Sequence, residues 1–169
     1  MPGSDLIDRT RSLFLREDNY YGCAEATLVA LQEHFSLPDP TDSSTAMAIN
    51  GGVAYSGATC GAISGAAMAV GRLAEQRIAD HREAKRTARR IVQRLMVDFE
   101  AEYGSVNCRD LCGYDLLKDH DAFLESGIWR DLCMRQIEYS VGRLGRLADP
   151  DEWNAEMERL PAAEEATGG

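Results

Sequence analysis

Five thiols carry most of the chemistry this 169-residue chain can offer: Cys23, Cys60, Cys108, Cys112 and Cys133. A thiolate ligates metals and takes part in thiol–disulfide exchange, whereas a buried thiol is a small hydrophobe. Five cysteines are too few for a disulfide scaffold, and an odd number excludes complete internal pairing. The densest signal is Cys60-Gly61-Ala62-Ile63-Ser64-Gly65. Gly57, Gly61 and Gly65 recur every fourth residue, so on one helix they form a ridge without side chains that Ala69 extends. A helical Gly costs roughly 0.5–1 kcal/mol relative to Ala, so three in register require a compensating close approach. In the plainer reading a neighbouring helix backbone lies against the ridge; in the sharper one a cofactor or cluster sits there beside Cys60. Cys60 also falls near an expected helix N-terminus, where unpaired amides favour thiolate while apolar burial opposes it.

Cys108 and Cys112 are four residues apart, which on a helical turn puts both on one face and near enough to share a metal. Their Cys-x-x-x-Cys spacing is not that of zinc ribbons or thioredoxin-like sites, and Arg109 between them favours a thiolate. Cys23 aligns with Thr27, Ala30, Leu31 and His34, and Cys133 with Ile137, Val141 and Leu144. Singly, each reads as a core residue. With Cys60 and Cys108 they occupy separate inward faces that permit convergence at one interior point. His34, His81 and His120 are scattered, and only His120 falls near a cysteine cluster, so spacing gives no support to a mixed Cys/His zinc site. No P-loop, dinucleotide fingerprint, nucleophile elbow or paired-histidine zinc motif occurs.

The elements that must position these thiols read as helices almost throughout. Asp5–Asp18 and Cys23–Phe35 show apolar residues at spacings of three and four, and Ser36–Ser44, with Pro38, Asp39 and Pro40, reads as a loop. A short helical turn around Thr45–Ile49 precedes a Gly51-Gly52 break. The next helix is expected to start near Ser56 or Thr59 and to run, with or without a bend near Asp80, to Tyr103, where Gly104 signals a stop. Cys108–Cys112 forms a short segment closed by Gly113, and a last strong helix spans about Ile128–Leu147. The fold class that follows is all-α: a single-domain helical bundle over residues 1–148 with a Gly/Ala-rich buried central helix. Residues 149–169 are expected to form an acidic C-terminal tail, in which Trp153, Met157 and Leu160 are able to dock a final helical turn.

The 29 uncharged residues between Asp42 and Arg72 exceed the ~20 of a spanning helix. Fourteen of them are Gly or Ala, and Asn50-Gly51-Gly52 interrupts the run, so a close-packed buried helix fits better than a membrane segment. A formal charge of −10 argues against nucleic acid as primary partner. The basic face Arg82, Lys85, Arg86, Arg89, Arg90 and Arg94 reads as solvated or as an intramolecular partner for acidic residues. Met1–Asp18 is charged and lacks an apolar core of signal-peptide length, so a cytoplasmic location is expected.

The arrangement resembles the C-GCAxxG-C-C family of redox-active proteins. The likeness rests on Gly22-Cys23-Ala24-Glu25-Ala26, on Gly51-Gly52 followed by Ser56-Gly57 and Thr59-Cys60-Gly61-Ala62 with Ser64-Gly65-Ala66, on Cys108 with Gly113 and Asp115, and on Cys133. It covers roughly Tyr20 to Leu144. The resemblance implies a small helical redox protein that works with a redox partner protein, and it carries the family's four cysteines onto Cys23, Cys60, Cys108 and Cys133. Cys112 is an addition. A more distant likeness to the non-haem part of split-Soret cytochromes favours an iron–sulfur site, although no haem-attachment Cys-x-x-Cys-His occurs.

Three readings follow. In the first, Cys23, Cys60, Cys108 and Cys133 hold an iron–sulfur cluster, with Gly57, Gly61 and Gly65 leaving room for it and offering backbone amides. In the second, the chain is a metal-free dithiol protein in which Cys60 attacks and Cys108 or Cys112 resolves. In the third, it is a helical module whose cysteines are structural or zinc-bound. A glycine-ridged helix can also pack against its own copy, so a homodimer is a further expectation.

Overall fold

The helical periodicities are realised as eight α-helices in a computed structural model that describes residues 3–159. Among the described residues there is no strand, only an isolated antiparallel bridge between Thr59 and Asn107. Helix α1 (Gly3–Phe14) buries Leu6, Thr10, Leu13 and Phe14, and ends four residues before the expected Asp18. Helix α2 (Cys23–His34) has every residue from Ala24 to Gln32 buried, so it is a core helix rather than an amphipathic surface one. A single 3₁₀ turn, Ser44–Ala46, replaces the helical turn expected there.

The uncharged run yields helix α3 (Gly61–Arg77), which buries Ala62, Ile63, Ala66, Ala69, Val70, Leu73 and Ala74. It is the Gly/Ala-rich central helix, lying against α2, against α4 (His81–Tyr103) and against α7 (Leu132–Gly145). Its start differs from the expectation at Ser56 or Thr59, because residues 51–59 are committed to a loop bonded to the segment around Cys108. The chain also breaks between α3 and α4. Ile78 is extended, and the Asp80 side chain accepts the Glu83 N–H at 2.8 Å, capping a new helix. Gly104, with φ of +83°, ends α4 as expected.

Helix α5 (Cys108–Cys112) is a single turn, and α6 (His120–Ser126) is a short helix that carries too few periodic apolar positions to show in the sequence. The span expected as one helix from Ile128 to Leu147 divides into a 3₁₀ turn, Ile128–Arg130, then α7, then a second 3₁₀ turn, Arg146–Ala148. Helix α1 closes the groove between α2 and α7.

Of the segment expected to be a tail, Pro150–Arg159 is helix α8. Trp153 is buried under the Arg77 guanidinium, 4.8 Å from the ring centre, and Glu156 is buried between Arg146 (2.6 Å) and Arg94 (3.6 Å). Arg94 thus finds the intramolecular acidic partner the basic face of α4 suggested. Leu160 and the terminal Thr167-Gly168-Gly169 lie outside the described residues. No helix among the described residues is long and apolar enough to cross a membrane.

Candidate redox site at the helix N-termini

All five thiols gather at one end of the bundle. Cys23 is the first residue of α2, Cys60 is the N-cap of α3, Cys108 is the first residue of α5 and Cys133 is the second residue of α7. Cys112 closes α5. Cys60 interacts electrostatically with Cys23 and Cys112, Cys133 with Cys23, Cys60 and Cys112, and Cys108 with Cys112, Cys23 and Cys60. Cys23, Cys108 and Cys133 line a cavity of about 290 Å³.

Two loop contacts bring Cys60 and Cys108 together. The bridge joins Thr59 to Asn107, the residues immediately before them. The Cys60 N–H donates to Val106 O at 2.8 Å and the Cys108 N–H to Ala58 O at 2.7 Å, so each loop occupies amide groups that would otherwise be orphaned. The approach is close enough that a Cβ on Gly57 would lie 2.7 Å from Arg109 Cβ. Gly57 therefore stands outside α3, with φ of +80°, and is not part of the helical ridge the four-residue spacing suggested. Its place is a loop crossing.

The ridge proper is Gly61, Gly65 and Ala69. A Cβ on Gly65 would overlap Ala24 O and lie 3.0 Å from Ala24 C; one on Gly61 would overlap the Cys23 sulfur and lie 2.9 Å from Ala24 N. The backbone of α2 therefore lies on α3, which satisfies the plainer reading at Gly65. At Gly61 the missing side chain makes room for the Cys23 thiol.

Asn50 supports this end of the bundle, a role that its local sequence does not show. Its Oδ1 accepts the Ala24 N–H at 2.9 Å and lies 3.9 Å from the Cys23 sulfur, while its Nδ2 donates to Glu25 at 2.9 Å. Glu25 also accepts the Gly22 N–H at 3.0 Å and the Ser43 hydroxyl at 3.1 Å. Asn50 is thus a capping side chain delivered from a distant loop. The chain beyond it makes a left-handed turn in which Gly51, Gly52, Val53, Ala54 and Tyr55 all have positive φ. For a β-branched residue such as Val53 this is a strained conformation. The loop hydrogen bonds Ala54 N–H to Ala48 O (2.8 Å) and Gly57 N–H to Gly51 O (3.0 Å) hold it. The signal available in the sequence was Asn50-Gly51-Gly52, which was read only as a break.

Burial and mutual repulsion push most of the thiols up. Cys60, 6% exposed, rises to about 12, chiefly through burial and then through Cys23, with the amides of Ala62 and Ile63 pulling the other way. Burial likewise raises Cys23 and Cys133. Cys108 and Cys112 share a proton: Cys108 is held up as the donor, and Cys112 is held below its ordinary value, first by Cys108 and further by Arg109. Burial thus opposes the Cys60 thiolate that the dithiol reading calls on, while Cys112 ionises more readily.

The histidines do not assemble with the thiols. His34 bonds Gly145 O at the far side of α7, His81 pairs with Glu75, and only His120 reaches the cavity, its ring 4.8 Å from that of Tyr55. Among the described residues no three His, Cys, Asp or Glu side chains form a group that could hold a metal ion. The reading as a zinc-bound module thus lacks a formed single-ion site. Next to Cys60, at 3.8 Å, lies the Oε1 of Gln136, a buried residue whose Nε2 has no partner.

A family model described as "Putative redox-active protein (C_GCAxxG_C_C)" matches residues 21–145, which span α2 to α7 and include all five thiols. No curated protein and no solved structure matches the chain.

Proposed function

Because the chain belongs to this family of redox-active proteins, we propose that it is an electron-transfer protein in which the thiolates of Cys23, Cys60, Cys108 and Cys133 hold an iron–sulfur cluster. One observation carries the reading: the four thiols sit at the N-terminal ends of four separate helices, near enough to interact electrostatically. Helix N-termini present free amides and partial positive charge, which stabilise negatively charged sulfur. Three of these helices, α2, α3 and α7, are 12, 17 and 14 residues long. Four sulfurs gathered at helix N-termini, three of them on helices of 12 to 17 residues, suit a ligand set that becomes anionic together.

The raised thiol pKa values complete the argument. Burial and mutual repulsion keep the free thiols protonated, so the anionic set requires a cationic core to replace the protons. A cluster core is several atoms wide and suits thiols that do not close on a single ion. It supplies one-electron exchange. This chain's residues orient the sulfurs and offer donors: the amide of Ala62 to Cys60, and those of Gly51 and Gly61 to Cys23.

Purification without oxygen tests the reading. Stoichiometric iron and acid-labile sulfide are expected, lost in C23S, C60S, C108S or C133S and retained in C112S. A metal-free chain whose thiol count falls by two on mild oxidation overturns it in favour of a dithiol protein. That second reading has one observation of its own, the lowered Cys112 thiol beside Cys108. Residues four apart on an intact turn have Cβ atoms about 5–6 Å apart, against roughly 3.5–4.5 Å in a disulfide, so oxidation of this pair must open α5.

A further inference from the structure

The cavity that reaches Cys23, Cys108 and Cys133 is larger than three thiols need. Its walls are Phe14, Leu116, Phe123 and Trp129, with Phe14 and Trp129 packed edge to face at 5.5 Å between ring centres. Tyr55 and Leu124, both partly exposed, stand at its rim with His120. No Asp, Glu, Lys or Arg lines it, although 27% of the chain is charged. A carboxylate, phosphate or ammonium entering this space would lose water and meet no side chain of opposite charge from Asp, Glu, Lys or Arg. The lining therefore favours a neutral occupant.

Volume narrows the choice. A cavity of roughly 150 Å³ with apolar walls accepts benzene, and drug-sized ligands occupy roughly 300–1,000 Å³. At about 290 Å³ the space takes one substituted ring or two fused rings and is too small for a flavin or a dinucleotide. We infer that this cavity is the binding site for a neutral ring compound of the quinone–hydroquinone class, admitted between Tyr55 and Leu124 and brought against the Cys23, Cys108 and Cys133 thiols. The aromatic walls suit offset or edge-on ring contacts. The neutral-ring site stands on the cavity itself, whereas its assignment to quinones, the neutral rings that exchange electrons, rests on the redox reading above.

Calorimetric titration of the full chain, purified without oxygen and kept reduced, with tetramethylhydroquinone tests it. Every ring position of that probe is substituted, so no thiol adds to it, and it is already reduced, so no electrons move. Binding at one site per chain is expected, and methylhydroquinone is expected to bind at least tenfold more tightly than 2,5-dihydroxybenzenesulfonate, which carries a sulfonate in place of the single methyl group. L116F, which fills the cavity, is expected to weaken binding at least tenfold while the thiol count and melting temperature hold. Should L116F unfold, L124R at the rim serves instead, with the same loss expected. Equal binding of the neutral and sulfonated rings, no binding to the wild-type chain, or binding unaffected by a folded variant overturns the inference. The iron and sulfide assay is separate: a chain that binds the ring without a cluster refutes only the proposed function, and a cluster-bearing chain that binds no ring refutes only this site.

Discussion

Helix α3 contains a matched pair of glycines that tests whether close helix contact, rather than helix propensity, decides what the central helix tolerates. Gly65 faces α2: an added Cβ would overlap Ala24 O and come within 3.0 Å and 3.1 Å of Ala24 C and Cα, backbone atoms that cannot rotate away. Gly71 lies two turns further along the same helix, and a Cβ there would meet nothing within 4 Å. In isolation each Gly→Ala change favours the helix by roughly 0.5–1 kcal/mol. At Gly71 that gain is expected in full. At Gly65 it is opposed by overpacking, which typically costs about 1–3 kcal/mol, so a net loss of about 0.5–2 kcal/mol is expected. In a chain of this size each kcal/mol moves the melting temperature by about 2–4 °C. G71A should therefore melt a few degrees higher and G65A a few degrees lower, with urea unfolding reporting the same signs at an unchanged slope. Equal stabilisation by both substitutions would refute the backbone contact between α2 and α3, and with it the explanation of why this helix is rich in glycine.

Three further outcomes follow from the packing. Trp153, buried under Arg77, anchors α8, so W153A should lose about 3 kcal/mol, read by urea unfolding, and a loss below about 1 kcal/mol would mean that α8 is not docked. The His34 ring is held below its ordinary 6.5 by burial, against the pull of the Gly145 carbonyl. Its Nε2 carries the proton given to that carbonyl, and its buried Nδ1 has no partner. The unfolded chain therefore takes up a proton first, stability falls as pH drops below about 6.5 and levels off below the folded value, and H34Q should flatten that part of the melting-temperature profile. Gln136 has a buried amide nitrogen without a partner, so Q136M should change the stability of the metal-free chain by less than about 1 kcal/mol; a loss of 2 kcal/mol or more in urea would reveal a bonded nitrogen instead.

Particular residues show how far sequence reasoning reached. The apolar spacing of Ile91, Leu95 and Phe99 placed α4, and Gly104 placed its end, because side-chain periodicity and left-handed caps are local properties. Helix α6 escaped notice because seven residues with one buried aromatic, Phe123, give no period to read. Gly57 was misplaced because a four-residue spacing continues across a helix start without a change of pattern; the φ of +80° and the crossing with Arg109 are properties of a loop. Asn50 was passed over because its partners, Ala24 and Glu25, lie more than twenty positions away in the chain.

For the thiols the division is sharper. In the sequence, periodicity put the thiols on helices, and the family resemblance alone grouped Cys23, Cys60, Cys108 and Cys133 and left Cys112 as an addition. Only the tertiary structure decided that those helices meet by their N-terminal ends. It set the Thr59–Asn107 bridge that pairs Cys60 with Cys108, laid Cys23 in the space Gly61 leaves, and buried Cys60 so that its proton is held more tightly than that of Cys112. The physical reason is one of range. Dihedral preference and side-chain period act over one or two turns of a single helix, whereas the relation between helix ends is set by backbone contact and loop hydrogen bonds between residues far apart in the chain.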